Sequence, residues 1–518
     1  MTELVFIIAA AVAVALLACT AAAYSYGRFA ARAKGAPSVA LPVTDGGTPL
    51  DTAVARLTGA RGDESGLMLL DDNLEAFAAR VVSARKAGRS LDLMYYIWKN
   101  DLTGRLVVHE LLEAADRGVR VRLLLDDVSA RGRDRAYLAL HSHPNISVRL
   151  FNPSRAREGV LRRGVEMALR AVSQTRRMHN KAWIADGRLA IVGGRNIGDA
   201  YFDAARTANF RDLDLVLVGP AVGQAEAVFD SFWNSDAVIP IDALIGRHPA
   251  RLGRLRRRLS ALAAGAAARP YVERIRERVS APEIADLAGR IHWTADARIV
   301  SDPPEKAAGR SHDEWLMRSL APVIDASRQT LEIVSPYFIP GDDGAAGLAA
   351  LVARGVDVAV LTNSLAATDV AAVHGAYARY RRPLLEAGVR LYELQPYVRG
   401  RRISVFGSSG ASLHTKAFTV DGRAGFVGSF NFDPRSASLN TEMGVLFEHP
   451  GLAAEMRDRF RQETAAEASY ALSLSGSGLQ WDCIRDGQRR SFRRDPNAGP
   501  GRRILAGLVG LLPIQSQL

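Results

Sequence analysis

Cysteine is scarce in this sequence: the 518 residues include only Cys19 and Cys483. Two cysteines exclude a disulfide framework, and Cys19 lies in an apolar segment. The sequence also lacks a His-Glu-x-x-His motif and clustered cysteines, which are the spacings typical of zinc sites, so we predict no metal and no cofactor. Acidic residues number 55 against 67 basic ones, giving a net charge of +12. This excess favours anionic partners, either nucleic acid or an anionic membrane surface.

One long apolar run is present, near the amino terminus. The segment Leu4–Ala23 contains no charged residue and is about long enough to cross a bilayer as a helix. Arg28, Arg32 and Lys34 follow it, and positive flanking charge tends to remain in the cytoplasm. We therefore expect a retained single-pass anchor with the remaining chain on the cytoplasmic side. A cleaved signal peptide or a lipoprotein signal is the alternative, although both usually begin with a basic region that Met1–Glu3 lacks.

A series of strands and helices occurs twice along the chain. Leu91–Trp98 and Leu331–Phe338 are apolar, as buried strands are, and each precedes a helical pattern that ends in Arg-Gly-Val. Further apolar strands follow in the same order, which predicts α/β architecture with two similar halves. We place the boundaries as follows: 1–27 transmembrane anchor, 28–63 linker, 64–240 first half, 241–290 basic connecting segment, 291–470 second half, 471–518 carboxyl-terminal tail.

The most distinctive feature is a histidine-lysine pair that occurs once in each half. The two residues are two positions apart, which places them on one face of a strand. Each pair is followed by Asp-Gly, which makes a tight turn into a return strand. A hairpin turn alone explains the aspartates as well as catalysis does. The candidate catalytic residues are His179, Lys181, Asp186, His414, Lys416 and Asp421.

Glycine and asparagine follow at the end of each return strand. Asn196 and Asn431 both lie 17 residues after the histidine of their half. Glycine at these strand ends lets the backbone approach a ligand closely, so we assign both asparagines and Ser429 to substrate binding. Asp214 and Glu442 lie on corresponding later strands. A carboxylate that accepts a hydrogen bond from one imidazole nitrogen fixes the tautomer, so we assign Asp214 and Glu442 as the orienting acids, one in each half.

This set of side chains suits phosphodiester chemistry. One neutral imidazole can attack phosphorus and form a phosphohistidine, while the other protonates the leaving alkoxide. Lysine and asparagine donors from both halves can hold the non-bridging oxygens as negative charge redistributes. No metal is required, and two lysines beside the histidines would repel one. The duplication therefore predicts one active site that both halves build.

At these residues the chain resembles the phospholipase D superfamily, whose signature is His-x-Lys-x(4)-Asp in duplicate, over roughly residues 91–450. The segments Val192–Asp199 and Gly428–Ser436 resemble bacterial cardiolipin synthases, particularly the C branch. The resemblance implies two α/β/α sandwich halves related by a pseudo-two-fold axis, with one shared active site. It also implies transfer of a phosphatidyl group to phosphatidylglycerol, with His179 as nucleophile and His414 as acid. The single apolar span agrees with the C branch, since other cardiolipin synthases carry two.

The same resemblance implies the bacterial inner membrane as the location and membrane phospholipids as partners. These are phosphatidylglycerol and, as a further candidate donor, phosphatidylethanolamine. The arginine-rich segment Arg155–Arg177 would then rest on an anionic bilayer surface, although a solvated helix explains its pattern equally well. Arg502–Pro513 is too short to span a bilayer but long enough to lie in its interface.

Two other functions remain open from the sequence. A phosphodiesterase that uses water, either a phospholipase D or a nuclease, would contain the same motifs. The apolar anchor and the lack of a recognisable nucleic-acid-binding module argue against nucleic acid as a partner. A catalytically inactive membrane scaffold would not need complete motifs in both halves. The sequence gives no indication of a protein partner.

Overall fold

The computed structural model describes residues 2–44, 46–59, 61–246, 251–278, 288–396, 410–476 and 478–510. They form two large mixed sheets, one in each half. The first sheet has, in spatial order, β10 (His292–Thr294), β1 (Ser65–Leu70), β8 (Asp214–Val218), β6 (Leu189–Gly193), β5 (Ala182–Ala185), β2 (Ser90–Tyr95), β3 (Arg120–Asp126), β4 (Ile146–Phe151) and β9 (Val238–Pro240). The neighbours β2, β3 and β4 are parallel, and the remaining pairs are antiparallel.

The second sheet repeats this order. Its strands are β11 (Ala297–Ser301), β18 (Met443–Glu448), β17 (Ala424–Gly428), β16 (Ala417–Val420), β12 (Thr330–Val334), β13 (Asp357–Asn363), β14 (Arg390–Leu394), β19 (Ser469–Ser475), β20 (Gly478–Arg485) and β21 (Gln488–Phe492). Here too the three strands that correspond to β2, β3 and β4 are parallel. The predicted duplication of an α/β fold is therefore confirmed. A third, two-stranded sheet pairs β7 (Ala208–Arg211) of the first half with β15 (Gly410–Leu413) of the second.

Helices connect these strands. In chain order they are α1 (Thr2–Ala33), α2 (Pro49–Thr58), α3 (Asn73–Lys86), α4 (Leu102–Asp116), α5 (Asp127–Ala130), α6 (Asp134–His141), α7 (Val160–Leu169), α8 (Ala171–Gln174), α9 (Pro220–Trp233), α10 (Ile241–Ile245), α11 (Leu252–Ala263), α12 (Arg269–Arg278), α13 (Met317–Asp325), α14 (Gly341–Ala353), α15 (Ala371–Glu386), α16 (Pro434–Ser438), α17 (Pro450–Thr464) and α18 (Pro500–Gly510). The predicted Arg-Gly-Val helix ends are observed: Gly118 and Gly355 follow α4 and α14 at φ 96° and 89°. Glycine adopts such angles without steric cost.

The two halves share a continuous apolar core. Val192 and Leu215 of the first half and Val427 and Val445 of the second are fully buried within one cluster. Burying each such side chain contributes roughly 1.5 to 3 kcal/mol, so separating the halves would expose much of the core. Backbone hydrogen bonds also join the halves beside the two histidine-lysine motifs, because the His179 amide donates to the Thr441 carbonyl and the His414 amide donates to the Arg211 carbonyl.

The amino-terminal helix α1 projects away from this core. It is long and apolar enough to cross a membrane, and no other helix in the described ranges passes that test. Only its last turns contact the first half: the hydroxyl of Tyr26 donates to the Pro153 carbonyl at 2.8 Å, and Arg155 lies over the ring of Phe29. Helix α1 is therefore attached to the body near the carboxyl end of β4.

The predicted boundaries differ from the structure at three places. Helix α2 lies in the predicted linker, yet it buries Leu50 and Val54 in the core of the first half. Strand β10 falls within the predicted second half but pairs with β1 of the first sheet. Strands β20 and β21 lie in the predicted tail and extend the second sheet. None of these elements belongs to the repeated series of strands and helices from which the two halves were predicted, so the repeat did not assign them. Residues 511–518, including the end of the predicted interfacial segment, lie outside the described residues.

Candidate active site

Each histidine-lysine motif stands at the start of a β-hairpin. The turn between β5 and β6 has Asp186 and Gly187 at φ 54° and 66°, and the turn between β16 and β17 has Asp421 and Gly422 at 52° and 62°. Asp-Gly suits this left-handed geometry because glycine lacks a side chain and aspartate tolerates it. The hairpins place the histidines at one end of the strands and the aspartates at the other.

The two motif aspartates bind backbone rather than reacting groups. The carboxylate of Asp186 accepts hydrogen bonds from the amides of residues 88–90 at 2.8–2.9 Å. Asp421 accepts the equivalent bonds from the amides of residues 328–330. Each aspartate therefore ties its hairpin turn to the start of the neighbouring strand. The structure corrects their assignment as catalytic residues and supports the hairpin-turn explanation.

His179 is held by a carboxylate from the other half. Its Nδ1 lies 2.8 Å from Glu442 Oε2 and 3.1 Å from the carbonyl oxygen of Ser429. Two acceptors at Nδ1 fix the proton there and leave Nε2 with its lone pair available. Glu442 is itself held by the hydroxyls of Ser429 and Ser436, which donate to its two carboxylate oxygens.

His414 has the reciprocal arrangement. Its Nδ1 lies 2.5 Å from Oδ2 of Asp212, which belongs to the first half. The backbone amide of His414 also donates to the Arg211 carbonyl at 2.8 Å, at the end of the β7–β15 pair. The carboxylates are thus exchanged between the halves, since each histidine is held by an acid of the other half.

The assignment of Asp214 as an orienting residue is also corrected. Its carboxylate accepts a hydrogen bond from Arg80 Nη2 at 2.8 Å and lies 3.4 Å from Arg195 Nη1. All three side chains are almost completely buried. Asp214 pairs with Gly193 in the sheet, as Gly444 pairs with Gly428 in the other half. Asp212, two residues earlier, therefore corresponds to Glu442.

Close packing at Gly194 allows Asp212 to reach His414. A Cβ atom at Gly194 would lie 2.1 Å from Asp212 Oδ1, far inside van der Waals contact. In the second half the residue after the strand is Ser429, whose hydroxyl donates to Glu442. The first half thus has glycine beside the shorter acid, and the second has serine beside the longer one.

The two lysines are buried next to the histidines. Nζ of Lys181 donates to the carbonyl of His179, and Nζ of Lys416 donates to that of His414. Burial lowers the pKa of Lys181 to about 7 and that of Lys416 to about 8. An anionic phosphate placed between them would favour their charged forms.

Burial also keeps the histidines neutral. It lowers the pKa of His179 to about 4, although Glu442 acts in the opposite direction. Burial, with the charge of Lys416, holds the pKa of His414 well below its usual range. The carboxylates differ: burial raises the pKa of Asp212 to about 6, whereas for Glu442 the effect of burial is outweighed by His179 and Lys181, so its pKa is lowered.

The predicted substrate-binding residues have different environments. Asn196 is fully engaged, since its Oδ1 accepts from the Ile97 amide and its Nδ2 donates to the Tyr201 hydroxyl. Oδ1 of Asn431 is buried and has no hydrogen-bond partner within the described residues. A buried polar atom without a partner is costly, which makes Asn431 the better candidate for contact with a ligand. Ser429 acts through Glu442 and the His179 ring rather than from an open position.

Sequence reasoning missed several residues around the imidazoles. The ring of Tyr96 lies edge-on to His179 at 5.0 Å, and the rings of Tyr201 and Phe210 lie 5.1 and 5.0 Å from His414. These aromatic walls supply the burial that lowers the histidine pKa values. Asp212 was detectable as the other acid of the run Asp212–Asp214, but the aromatic residues follow no repeated spacing.

One group of metal-ligating side chains in the described ranges is compact enough to hold an ion. It consists of His374, Glu393 and Asp495, distant in sequence from the histidine motifs. Arg381 donates to Glu393 at 2.9 Å and to Asp495 at 2.7 Å, so the positive charge there is already a guanidinium. We assign this cluster a structural role, in which it joins α15 to the segment before α18.

Comparisons with known proteins show the family of this chain. The family described as "Cardiolipin synthase, PLD-like domain" matches residues 83–233 and 320–464. Cardiolipin synthase C of Escherichia coli is 39% identical over 90% of this chain and 99% of its own length. A cardiolipin synthase of Staphylococcus aureus is 24% identical over 82% of this chain and 72% of its own.

A solved structure supports the fold. The phosphatidylserine synthase of Haemophilus influenzae matches with a TM-score of 0.54 and 14% identity, covering 81% of this chain and 92% of that one. An identity this low bears on the fold alone. The assignment of the family rests on the matching family model and on the E. coli relative. The chain belongs to the cardiolipin synthase family of phospholipase D-like proteins.

Proposed function

We propose that this protein is a phosphatidyltransferase that makes cardiolipin by transferring a phosphatidyl group to phosphatidylglycerol through a phosphohistidine. The observation that carries the proposal is the pair of buried imidazoles, each held at Nδ1 by a carboxylate of the other half. This arrangement leaves two Nε2 atoms for one phosphorus, one to attack and one to move a proton. The cardiolipin synthases among its relatives support the lipid substrate.

In the first step, Nε2 of His179 attacks phosphorus and the bond to the leaving alkoxide breaks. His414 donates a proton to the departing oxygen. In the second step, His414 takes the proton of a phosphatidylglycerol hydroxyl, whose oxygen bonds to phosphorus as the P–N bond breaks. Lys181, Lys416 and the Nδ2 amide group of Asn431 donate hydrogen bonds to the non-bridging oxygens in both steps. The negative phosphate raises the pKa of the neighbouring imidazole, so His414 is protonated when the donor is bound.

The choice of His179 as nucleophile rests on the carboxylates as well as on the family. Glu442 has a lowered pKa and remains ionised, so it stabilises the positive charge that develops on an attacking imidazole. Asp212 has a pKa raised to about 6 by burial, which makes it the weaker partner for a cationic ring. His414 acts alternately as acid and as base, and this role tolerates the weaker partner.

The proposed location is the bacterial inner membrane, with α1 as a single span and the body on the cytoplasmic side. Two further helices expose apolar side chains: Val160 and Leu161 on α7, and Ile504 and Leu508 on α18. Both helices lie near carboxyl ends of strands, the edge where the histidines lie. We propose that these faces enter the interface of an anionic bilayer and turn the active site towards its lipids. A reporter fused at residue 518 tests the side, since a periplasmic signal would contradict it.

The test of the reaction uses purified protein in vesicles of phosphatidylglycerol, with products followed by mass spectrometry. We expect cardiolipin to appear as phosphatidylglycerol is lost, and adding phosphatidylethanolamine to show whether it is also a donor. Phosphatidic acid as the sole product would instead establish a hydrolase. His179→Ala and His414→Ala should each abolish turnover. The matched control is His109→Ala, on the surface helix α4, which should retain it.

A trapping experiment separates the two histidines. With donor labelled at phosphorus and the reaction quenched early, the label should be recovered on a peptide containing His179. Recovery on His414 would reverse the two roles. Absence of labelled protein during rapid turnover would remove the covalent intermediate.

A further inference from the structure

A cavity lies in the first half, apart from the two imidazoles. It has a volume of about 650 Å³ and is enclosed by helices α4, α6 and α11 with the segment after β2. None of the histidines, lysines or asparagines of the active site lines it. Ligand pockets commonly measure about 300 to 1,000 Å³, so the cavity is large enough for a small organic ligand.

The inner wall of this cavity is apolar. Val108 of α4, Leu140 of α6 and Leu255 of α11 contribute to it, together with Trp98 and Tyr137. The last two residues are only 2% and 6% exposed, so their rings present little free surface. Single-stranded nucleic acid binds by stacking bases on exposed aromatic rings, and this wall offers none. It suits an aliphatic chain.

The rim of the cavity is cationic. Arg254 and Arg258 line it from α11, Arg251 lines it from the position just before that helix, and Lys99 lines it from the segment after β2. Within the described ranges, none of these four side chains forms an ion pair with an acidic residue. The spacing of four residues places Arg254 and Arg258 on one face of α11, and with Arg251 and Lys99 at the same rim they form a cluster of uncompensated positive charge.

The acidic residues of the rim are already engaged. Asp134 pairs with the guanidinium of Arg157, and Glu158 lies 4.0 Å from Arg135. Neither therefore neutralises the cluster on α11. Apolar walls beneath an unpaired cationic rim are complementary to a molecule with an aliphatic chain and an anionic head.

We propose that this cavity binds one acidic phospholipid molecule, with acyl chain against the apolar wall and head-group phosphate at Arg254 and Arg258. The site is separate from the reacting centre but borders it. The Ile97 amide, next to Trp98, donates to Asn196, and the Lys99 amide donates to the Ile197 carbonyl. A lipid in the cavity therefore contacts the segment that holds the first active-site asparagine.

The test uses phosphatidic acid with a photoreactive group at the end of one acyl chain, bound to the full chain in detergent. Phosphatidic acid has no head-group alcohol, so it is not an acceptor in the proposed reaction. After irradiation, labelled peptides are identified by mass spectrometry. We expect label on α6 and α11, and at least about threefold less from phosphatidylcholine with the same chain, because its head carries no net charge.

Two variants with a matched control make the assignment specific. Arg254→Glu should lower labelling of α6 and α11 about fivefold or more. Arg257→Glu makes the same charge change on the same helix outside the cavity, and it should leave labelling unchanged. Val108→Phe should lower labelling by filling the cavity without altering charge.

Several results would overturn the proposal. These are equal losses in the two arginine variants, equal labelling by phosphatidylcholine, and displacement of the label by glycerol phosphate or by an oligothymidylate. Cardiolipin formation is measured on the same preparations. Loss of labelling specificity with normal cardiolipin formation would refute only the proposed lipid site in the cavity. Labelling as expected without cardiolipin formation would refute only the proposed reaction.

Discussion

Replacing Asp212 and Asp214 separately by asparagine should affect two different properties of the protein. The residues lie two positions apart in one run of chain, and both are fully buried. Asp212 holds His414 Nδ1 at 2.5 Å, whereas Asp214 neutralises Arg80 at 2.8 Å with Arg195 nearby. The same chemical change therefore removes an orienting carboxylate at one position and the partner of two buried cations at the other.

The expected loss of rate in Asp212→Asn is about 10³- to 10⁴-fold. An amide in place of the carboxylate can present its NH₂ group to Nδ1, which favours the wrong tautomer, and it cannot stabilise the imidazolium. Glu442→Gln should cost less, about 10²-fold, because the Ser429 carbonyl at 3.1 Å still accepts from His179. Neither change should lower the unfolding midpoint much, because each of these carboxylates pairs with a histidine and not with a buried guanidinium as Asp214 does.

Asp214→Asn should instead destabilise the fold. Breaking a buried ion pair by removing one partner costs about 3 to 5 kcal/mol. Since 1 kcal/mol shifts the midpoint of a domain of about 200 residues by roughly 2 to 4 °C, we expect the midpoint to fall by at least about 6 °C. The rate of folded protein at low temperature should stay within about tenfold of wild type, because Asp214 contacts neither imidazole.

The assay combines cardiolipin formation in vesicles at 15 °C with thermal unfolding followed by tryptophan fluorescence. The reasoning would be refuted if Asp212→Asn retained more than a tenth of the wild-type rate. It would also be refuted if Asp214→Asn abolished turnover while leaving the midpoint unchanged, because that result would restore Asp214 to the active site.

Further predictions concern the turns, the close packing and the lysines. Asp186→Asn removes a carboxylate that accepts three backbone hydrogen bonds, so thermal unfolding should show a loss of about 2 to 4 kcal/mol while kcat of the folded protein stays near wild type. Gly194→Ala should lower kcat at least about tenfold, because its Cβ would displace the acid that holds the second histidine, whereas Gly223→Ala, with open space around it, should not. The KM for phosphatidylglycerol should rise between pH 7 and pH 9, because Lys181 and Lys416, with pKa values of about 7 and 8, lose positive charge as pH rises. Initial rates at several lipid fractions measure this KM, and a constant value would contradict the prediction.

The sequence predicted the duplication and the positions of its two histidine-lysine pairs because both depend on local pattern. Period-two alternation places a histidine and the lysine two residues later on one strand face, and equal spacings mark the halves as copies. The same periodicity explains the error at Asp214. A shift of two residues keeps a side chain on the same face, so alternation cannot distinguish Asp212 from Asp214.

The exchange of carboxylates between halves had no signal in the sequence. The exchange depends on how the two sheets pack against each other. The sequence pattern of the strands would be the same if each histidine were held by the acid of its own half. Asp186 and Asp421 show the opposite limit. Their repeated position suggested a catalytic role. In each half, however, the carboxylate accepts hydrogen bonds from three backbone amides at a hairpin turn, and this structural role requires an aspartate as strictly as catalysis would.

The exchanged carboxylates have a consequence for how this protein would lose activity. Because each imidazole depends on an acid from the opposite half, neither half contains a working unit of its own. A small sliding of one sheet over the other would misalign both histidines together, while each half kept its internal hydrogen bonds. Activity should therefore disappear during heating before either half unfolds, because it depends on the contact between the two halves.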